Sequence, residues 1–132
     1  MRVRDAFGAF GATVTNERWS WSAISADRNT VVLTWWKDEI RQESGHLVYD
    51  MRNHHRLDIW RDRPGNRERI RHLIHARDNC DGLFRIVWST AADLNAVIRR
   101  TISRNPDLNI LMRLVELNEQ SGEFRAEQVN DA

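Results

Sequence analysis

Six tryptophans stand in a chain of 132 residues, and four of them form two close pairs, Trp19 with Trp21 and Trp35 with Trp36. An indole offers a large flat face for stacking and one N–H that needs an acceptor when buried. Nucleobases stack on such faces, and guanidinium groups beside them hold phosphates. The second ingredient is also present, because Lys37 is the one lysine among twenty basic residues. Arginine differs from lysine in its planar fork, which matches phosphate and guanine edges and lies flat on aromatic rings.

The net charge of +1 conceals an uneven distribution. From Arg41 to Arg77 there are nine arginines against five acids, a balance of +4, and all five histidines lie in the same stretch. From Glu116 to Ala132 there are five acids and one arginine, a balance of −4. The central segment is therefore the candidate anion-facing surface. Within it, Arg61, Arg63, Arg67 and Arg71 are the candidates for phosphate contacts. The helix N-terminus expected at Pro64-Gly65-Asn66 adds backbone N–H donors. Trp21, Trp36 and Trp60 are the candidates for stacking on a base, with Asp38 or Asn53 reading its edge. Trp19 and Trp35 are assigned to the core. The competing explanation is structural: tryptophans that fill a core, and a solvated helix face with Glu68 and Arg71 as mutual partners.

Other chemistries leave weaker traces. His72 and His75 lie three apart, Cys80 follows, and His54 adjoins His55. There is no second cysteine, no CxxC and no HExxH, so no metal or other cofactor is expected. Asp38, Glu39 and a loop histidine suit a small metal-dependent nuclease, which is one alternative. No Gly-rich phosphate loop or nucleophile elbow is present, and no catalytic residue is assigned. The other alternative is a protein-interaction domain whose surplus tryptophans form an oligomer interface.

The elements that must position these groups follow from periodicity. A three-to-four spacing of Val3, Ala6, Phe7 and Phe10 predicts a short amphipathic helix. Alternation over 19–25 and a β-branched, aromatic run over 30–36 predict an antiparallel hairpin. In it Trp19 and Trp21 share a face, whereas Trp35 and Trp36 point oppositely. The polar stretch 37–63 reads as a long loop with one short strand at 46–49. Asn66 is expected to cap a helix over 67–77 that buries Ile70, Leu73 and Ile74. A near-continuous apolar run at 83–88 predicts a central strand. A short helix over 91–99 follows, with Ala92, Leu94, Ala96, Val97 and Ile98 as its apolar set. After a break at 104–107, strands over 108–117 and 123–129 form a second hairpin. The expected fold is one domain over residues 1–132, α+β, with a curved, barrel-like mixed sheet of five or six strands and flanking helices.

Cys80 has no internal disulfide partner, and no apolar run approaches the roughly 20 residues of a membrane-spanning helix. The opening MRVRDAFGAFGATV lacks a continuous apolar core and a cleavage pattern, so a cytoplasmic location is expected.

Several segments together carry a resemblance: Phe7-Gly-Ala-Phe-Gly-Ala, Trp19-Ser-Trp-Ser-Ala, Val32-Leu-Thr-Trp-Trp-Lys-Asp-Glu-Ile, Arg63-Pro-Gly-Asn-Arg-Glu and Glu116-Leu-Asn-Glu-Gln-Ser-Gly-Glu-Phe-Arg-Ala. The chain resembles, over nearly its whole length, the N-terminal domains attached to HNH-type restriction endonucleases that cut modified DNA. Such domains are similar to the EVE and PUA-like class, a small β-barrel with flanking helices. That class resembles the YTH and SRA readers, which hold a flipped modified base in an aromatic-lined pocket. The resemblance implies a PUA-like pseudo-barrel and a DNA-binding module that reads a modified base by flipping it. It also implies a restriction-modification setting, with DNA rather than RNA as partner and an HNH nuclease domain or subunit beside it. The chain itself carries no HNH motif, because His54-His55 lacks both the following Asn/His framework and flanking CxxC pairs. The implied role is the reading half of such an enzyme, not the cutting half.

Overall fold

The computed structural model describes residues 2–96 and 99–130, and the fold is α+β, with one eight-stranded mixed sheet. In chain order the elements are α1 (Val3–Gly8), β1 (Ala12–Thr13), β2 (Ser22–Ser25), β3 (Val31–Trp36), a 3-10 turn (Lys37–Glu39), β4 (Arg41–Glu43) and β5 (His46–Asp50). Then come α2 (Leu57–Trp60), α3 (Pro64–Asn79), β6 (Leu83–Ala91), β7 (Thr101–Leu117) and β8 (Phe124–Gln128). The strand order is β1-β2-β3-β6-β7-β8-β5-β4. Every pairing is antiparallel except β3 with β6. Parallel neighbours need a crossover. Here residues 37–82 make it, carrying α2, α3 and the β4–β5 hairpin between the two partners.

The sheet is strongly curled. Three strands separate β3 from β5, which would place them about 19 Å apart in a flat sheet. Yet the rings of Trp35 on β3 and Tyr49 on β5 lie 4.2 Å apart, centroid to centroid. The concave face holds Val31, Leu33, Trp35, Phe84, Ile86, Met112, Phe124 and Ala126, closed over by Leu73 and Ala76 of α3. The convex face of the same strands carries Val32 and Val87, which pack with Ala23 against Val3, Ala6 and Phe7 of α1. Period-two alternation in β3 and β6 thus serves two cores, one on each side. The edges, β1 and β4, do not meet, so the curl stops short of a closed barrel.

Several expectations need correction. The sheet has eight strands, not five or six. The first strand of the expected hairpin, β2, starts at Ser22, not Trp19, because Trp19 sits in a turn closed by the Ser20 N–H donating to Asn16 O (2.9 Å). The stretch 37–63 is not a loop with one strand: it holds the 3-10 turn, the β4–β5 hairpin and α2. Strand β4 is exposed at all three residues, so it offers no alternation to read. No helix occupies the described part of 91–99; β6 runs to Ala91, and the Ala92 N–H donates to Arg100 O across a turn. Val97 and Ile98 lie outside the described residues. The expected break at 104–107 is instead continuous β7, with Pro106 opposite Val87. Proline is tolerated there because β8 pairs with β7 only from Met112 onward, leaving Pro106 on a free edge. The helix α3 begins at Pro64 in the first-turn position proline favours, and Asn66 does not cap it.

Candidate functional site

A cavity of about 510 Å³ opens at the C-terminal end of β3 and is lined by Trp19, Trp21, Trp35, Trp36 and Trp60. Local pairing explains how residues of opposite strand parity reach one space. Strand β2 pairs with β3 only as far as Ser22 opposite Leu33, and the Thr34 N–H then donates to Trp21 O (2.9 Å). Beyond that point the outer edge of β3 has no strand beside it. Trp35 on the concave face and Trp36 on the other both border the opening. Gly65, in the first turn of α3, lets that helix press on the far wall, since a Cβ there would stand 2.5 Å from the Trp21 ring.

A polar cluster props the cavity floor. Trp60 donates its Nε1–H to His54 Nδ1 (3.2 Å), and the Arg56 N–H donates to the same nitrogen (3.0 Å). Two donors converging on Nδ1 place the His54 proton on Nε2, which faces Glu39 Oε1 at 2.8 Å. The Tyr49 hydroxyl donates to the other Glu39 oxygen (3.1 Å). Burial alone would raise the Glu39 pKa, but the hydrogen bond from His54, the Arg99 charge and the Tyr49 hydroxyl outweigh it and hold the carboxyl below its ordinary value. Burial and the Glu39 charge push the Tyr49 phenol upward, so it stays a neutral donor. Every hydrogen-bonding atom of the His54 ring and both Glu39 oxygens are thereby engaged.

Cations dominate the lining: Arg18, Arg56, Arg63, Arg69, Arg99, Arg100 and Arg104 against Glu17 and Glu39. Arg69 is the unusual one. It is 4% exposed, and its guanidinium lies 5.1, 5.5 and 5.2 Å from the ring centroids of Trp21, Trp60 and Phe124. Its one hydrogen bond among the described residues runs from Nη2 to Asn66 Oδ1 (3.2 Å), and Nε has no acceptor. Desolvation lowers its pKa to about 10, which still leaves it charged at neutral pH. Arg99 is held differently. Both Nη atoms donate to Asp38 at 2.8 Å, and the group stacks 5.2 Å from the Trp36 centroid. Arg104 is partly desolvated, which lowers its pKa, and forms no ion pair among the described residues.

The sequence candidates separate accordingly. Trp21, Trp36, Trp60 and Arg63 line the cavity, and so do Trp19 and Trp35, which had been assigned to the core. Trp35 is both, at 1% exposure. Asp38 is outside the lining, with both oxygens committed to Arg99. Asn53 lies in a separate acidic depression with Asp50, Glu116 and Glu123, its N–H donating to Glu123. Arg61, Arg67 and Arg71 are exposed and do not border the cavity; Arg67 donates to Asp62 and to Gln120 O. Helical geometry accounts for this, because Arg67 and Arg71 are rotated about 200° from Gly65 and Arg69, which face inward. Asn66, expected as a cap, is fully buried and donates to Arg61 O (2.8 Å) and Ser121 O (2.9 Å), fastening α3 to the β7–β8 turn.

Arg69, Arg99, Arg104, Tyr49 and the Glu39–His54 contact were not singled out from sequence as a binding set. A signal for Arg69 existed: it falls four residues after Gly65, four before Leu73 and seven before Ala76, on the buried stripe of α3. No tryptophan is exposed, and the exposed large apolar residues are Leu94, Leu108, Val115 and Val129. No group of three or more metal-ligating side chains occurs among the described residues, and among them no helix is long and apolar enough to cross a membrane. No family model, curated protein or solved structure matches this chain.

Proposed function

We propose that the protein is a nucleic-acid reader that takes a base, swung out of its strand, into the tryptophan-lined cavity. DNA is its partner in preference to RNA. The observation that carries this reading is the convergence of five indoles and a surplus of arginines on one cavity of about 510 Å³. That volume lies within the range of small-ligand sites. Extruding a base costs a few kcal/mol, and stacking returns about 1–3 kcal/mol per base. The exposed Arg18, Arg63 and Arg100 at the rim suit the flanking phosphates.

The curled sheet with helices on both faces is consistent with the PUA-like, EVE-type fold suggested by the sequence resemblance. On that reading the base is a modified one, and the setting is cytoplasmic restriction-modification alongside an HNH nuclease domain or subunit. A nuclease within this chain is the weaker reading, since Asp38 and both oxygens of Glu39 are already engaged.

The test is binding of labelled duplexes, modified and unmodified, at low and moderate salt. Binding is expected to quench tryptophan emission, and Trp36→Ala is expected to weaken it by about 1–3 kcal/mol. Arg63→Ala should reduce the slope of log affinity against log salt by about 0.9, while Arg71→Ala leaves it unchanged. Failure of every duplex to bind in low salt would end the proposal.

A further inference from the structure

The donors and acceptors around the cavity are not balanced. Among the described residues, four buried side-chain atoms lack a hydrogen-bond partner: Trp35 Nε1, Arg69 Nε, Arg99 Nε and Glu68 Oε1. The first three are N–H donors on residues that line the cavity, whereas Glu68 does not line it. The carboxylates that border or flank the cavity are engaged elsewhere, since Glu39 receives from Tyr49 and His54, and Asp38 receives from Arg99. Asn66 Oδ1 already receives from Arg69.

Arg69 adds a charge to this surplus. It is more than nine-tenths buried, three aromatic rings surround it, and no carboxylate lies within ion-pair distance among the described residues, the Glu39 charge acting on it only from further off. A buried cation without a paired anion is unfavourable, and a chain that keeps one at a cavity floor gains when a ligand supplies the missing partner. The rim arginines are placed for phosphates, so the group that reaches Arg69 belongs to the base.

We propose that Arg69 is the specificity-determining residue of the cavity, selecting a base whose inward edge carries oxygen acceptors, and an anionic carboxylate above all. Bases presenting an amino or methyl group there leave the guanidinium unanswered. This rests on the base-reading function proposed above and assigns the chemistry of the base. A carboxylate meeting a guanidinium makes a charge-assisted hydrogen bond, stronger than a neutral pair. Trp35, which also lines the cavity, carries a further N–H without an acceptor.

The experiment compares three duplexes of one sequence carrying cytosine, 5-methylcytosine or 5-carboxylcytosine at the centre. Their phosphates are the same, so phosphate contacts cancel, and attraction of the extra carboxylate charge to the other arginines is what remains in Arg69→Gln. Affinity is read by anisotropy, and entry into the cavity by quenching of tryptophan emission. Wild-type protein is expected to favour the carboxylated duplex by about tenfold or more, the size of one charge-assisted contact. Arg69→Gln should lower that preference to this remainder, and Arg69→Lys should keep part of the difference. Should Arg69→Gln fail to fold, the wild-type series and Arg69→Lys still decide. Equal quenching and equal affinity for all three duplexes would overturn the role of Arg69 while leaving base reading intact. A preference that survives Arg69→Gln undiminished would overturn it too. Absence of binding and quenching with every duplex would remove both proposals together.

Discussion

Glu39 is held by neighbours of three kinds: an imidazole N–H, a phenol and a nearby guanidinium. Their combined effect is a carboxyl whose pKa in the folded protein lies below its ordinary value. The consequence for stability has a definite sign. A depressed folded pKa stabilises the protein above the unfolded value, about 4.3 for glutamate, and the contribution disappears as pH falls through the folded value. Wild-type protein should therefore be more stable than Glu39→Gln at pH 7, with the gap closing below about pH 4. Urea midpoints measured across that range check it; a gap that widened in acid would contradict the assignment. Arg69 stands at the opposite pole, a charge with no ionic partner among the described residues and with aromatic faces in place of one.

Helix α3 connects these residues to the rest of the fold. Its first turn carries Gly65 against Trp21, its second carries Arg69 at the cavity, and Asn66 between them reaches two carbonyls. Removing that side chain leaves the Arg61 and Ser121 carbonyls and Arg69 Nη2 without their partner. Asn66→Ala is therefore expected to cost about 2 kcal/mol or more in chemical denaturation. Much of α3 was readable beforehand: Ile70, Leu73 and the stop near Asn79 follow from spacing and from Gly82. Asn66 was misread because an asparagine near a helix start favours the capping reading, and nothing local announces a carbonyl 55 residues away. Strand β4 and the turn at Ser44-Gly45 were missed for a related reason. An edge strand exposed on both faces has no hydrophobic period to detect. Over the described part of 91–99 no helix forms, because Ala91 pairs with Thr101 and β6–β7 pairing overrides the local preference of Ala92, Leu94 and Ala96. The central place of β6 was legible, since strands buried on both faces read as continuous apolar runs.

At the scale of the molecule, the curl matters most. The five indoles of the cavity are 41 positions apart at their extremes, Trp19 and Trp60, and they share a space because of where the chain returns. Spacing could point to Trp21, Trp36 and Trp60 individually. It could not show that Trp19 and Trp35 join them, because that depends on β2 ending its pairing at Leu33 and on β5 folding over β3. Rotation about the α3 axis, a local effect, explains why Arg67 and Arg71, neighbours in sequence of residues that do line the cavity, face elsewhere.

The contact between Trp35 and Tyr49 across three intervening strands also makes the binding state and the folded state thermodynamically inseparable. An unfolded or uncurled chain has no cavity, so any occupant binds the native form alone and draws the folding equilibrium toward it. At a hundredfold excess over Kd the gain is about 2.7 kcal/mol, which for a domain of this size raises the melting temperature by about 8–12 °C. A panel of oligonucleotides of equal length that differ in one base, screened by melting temperature, should thus rank the bases by their affinity for the native form. A duplex that binds tightly yet leaves the transition unmoved binds the unfolded chain equally well, and its contacts do not depend on the curl.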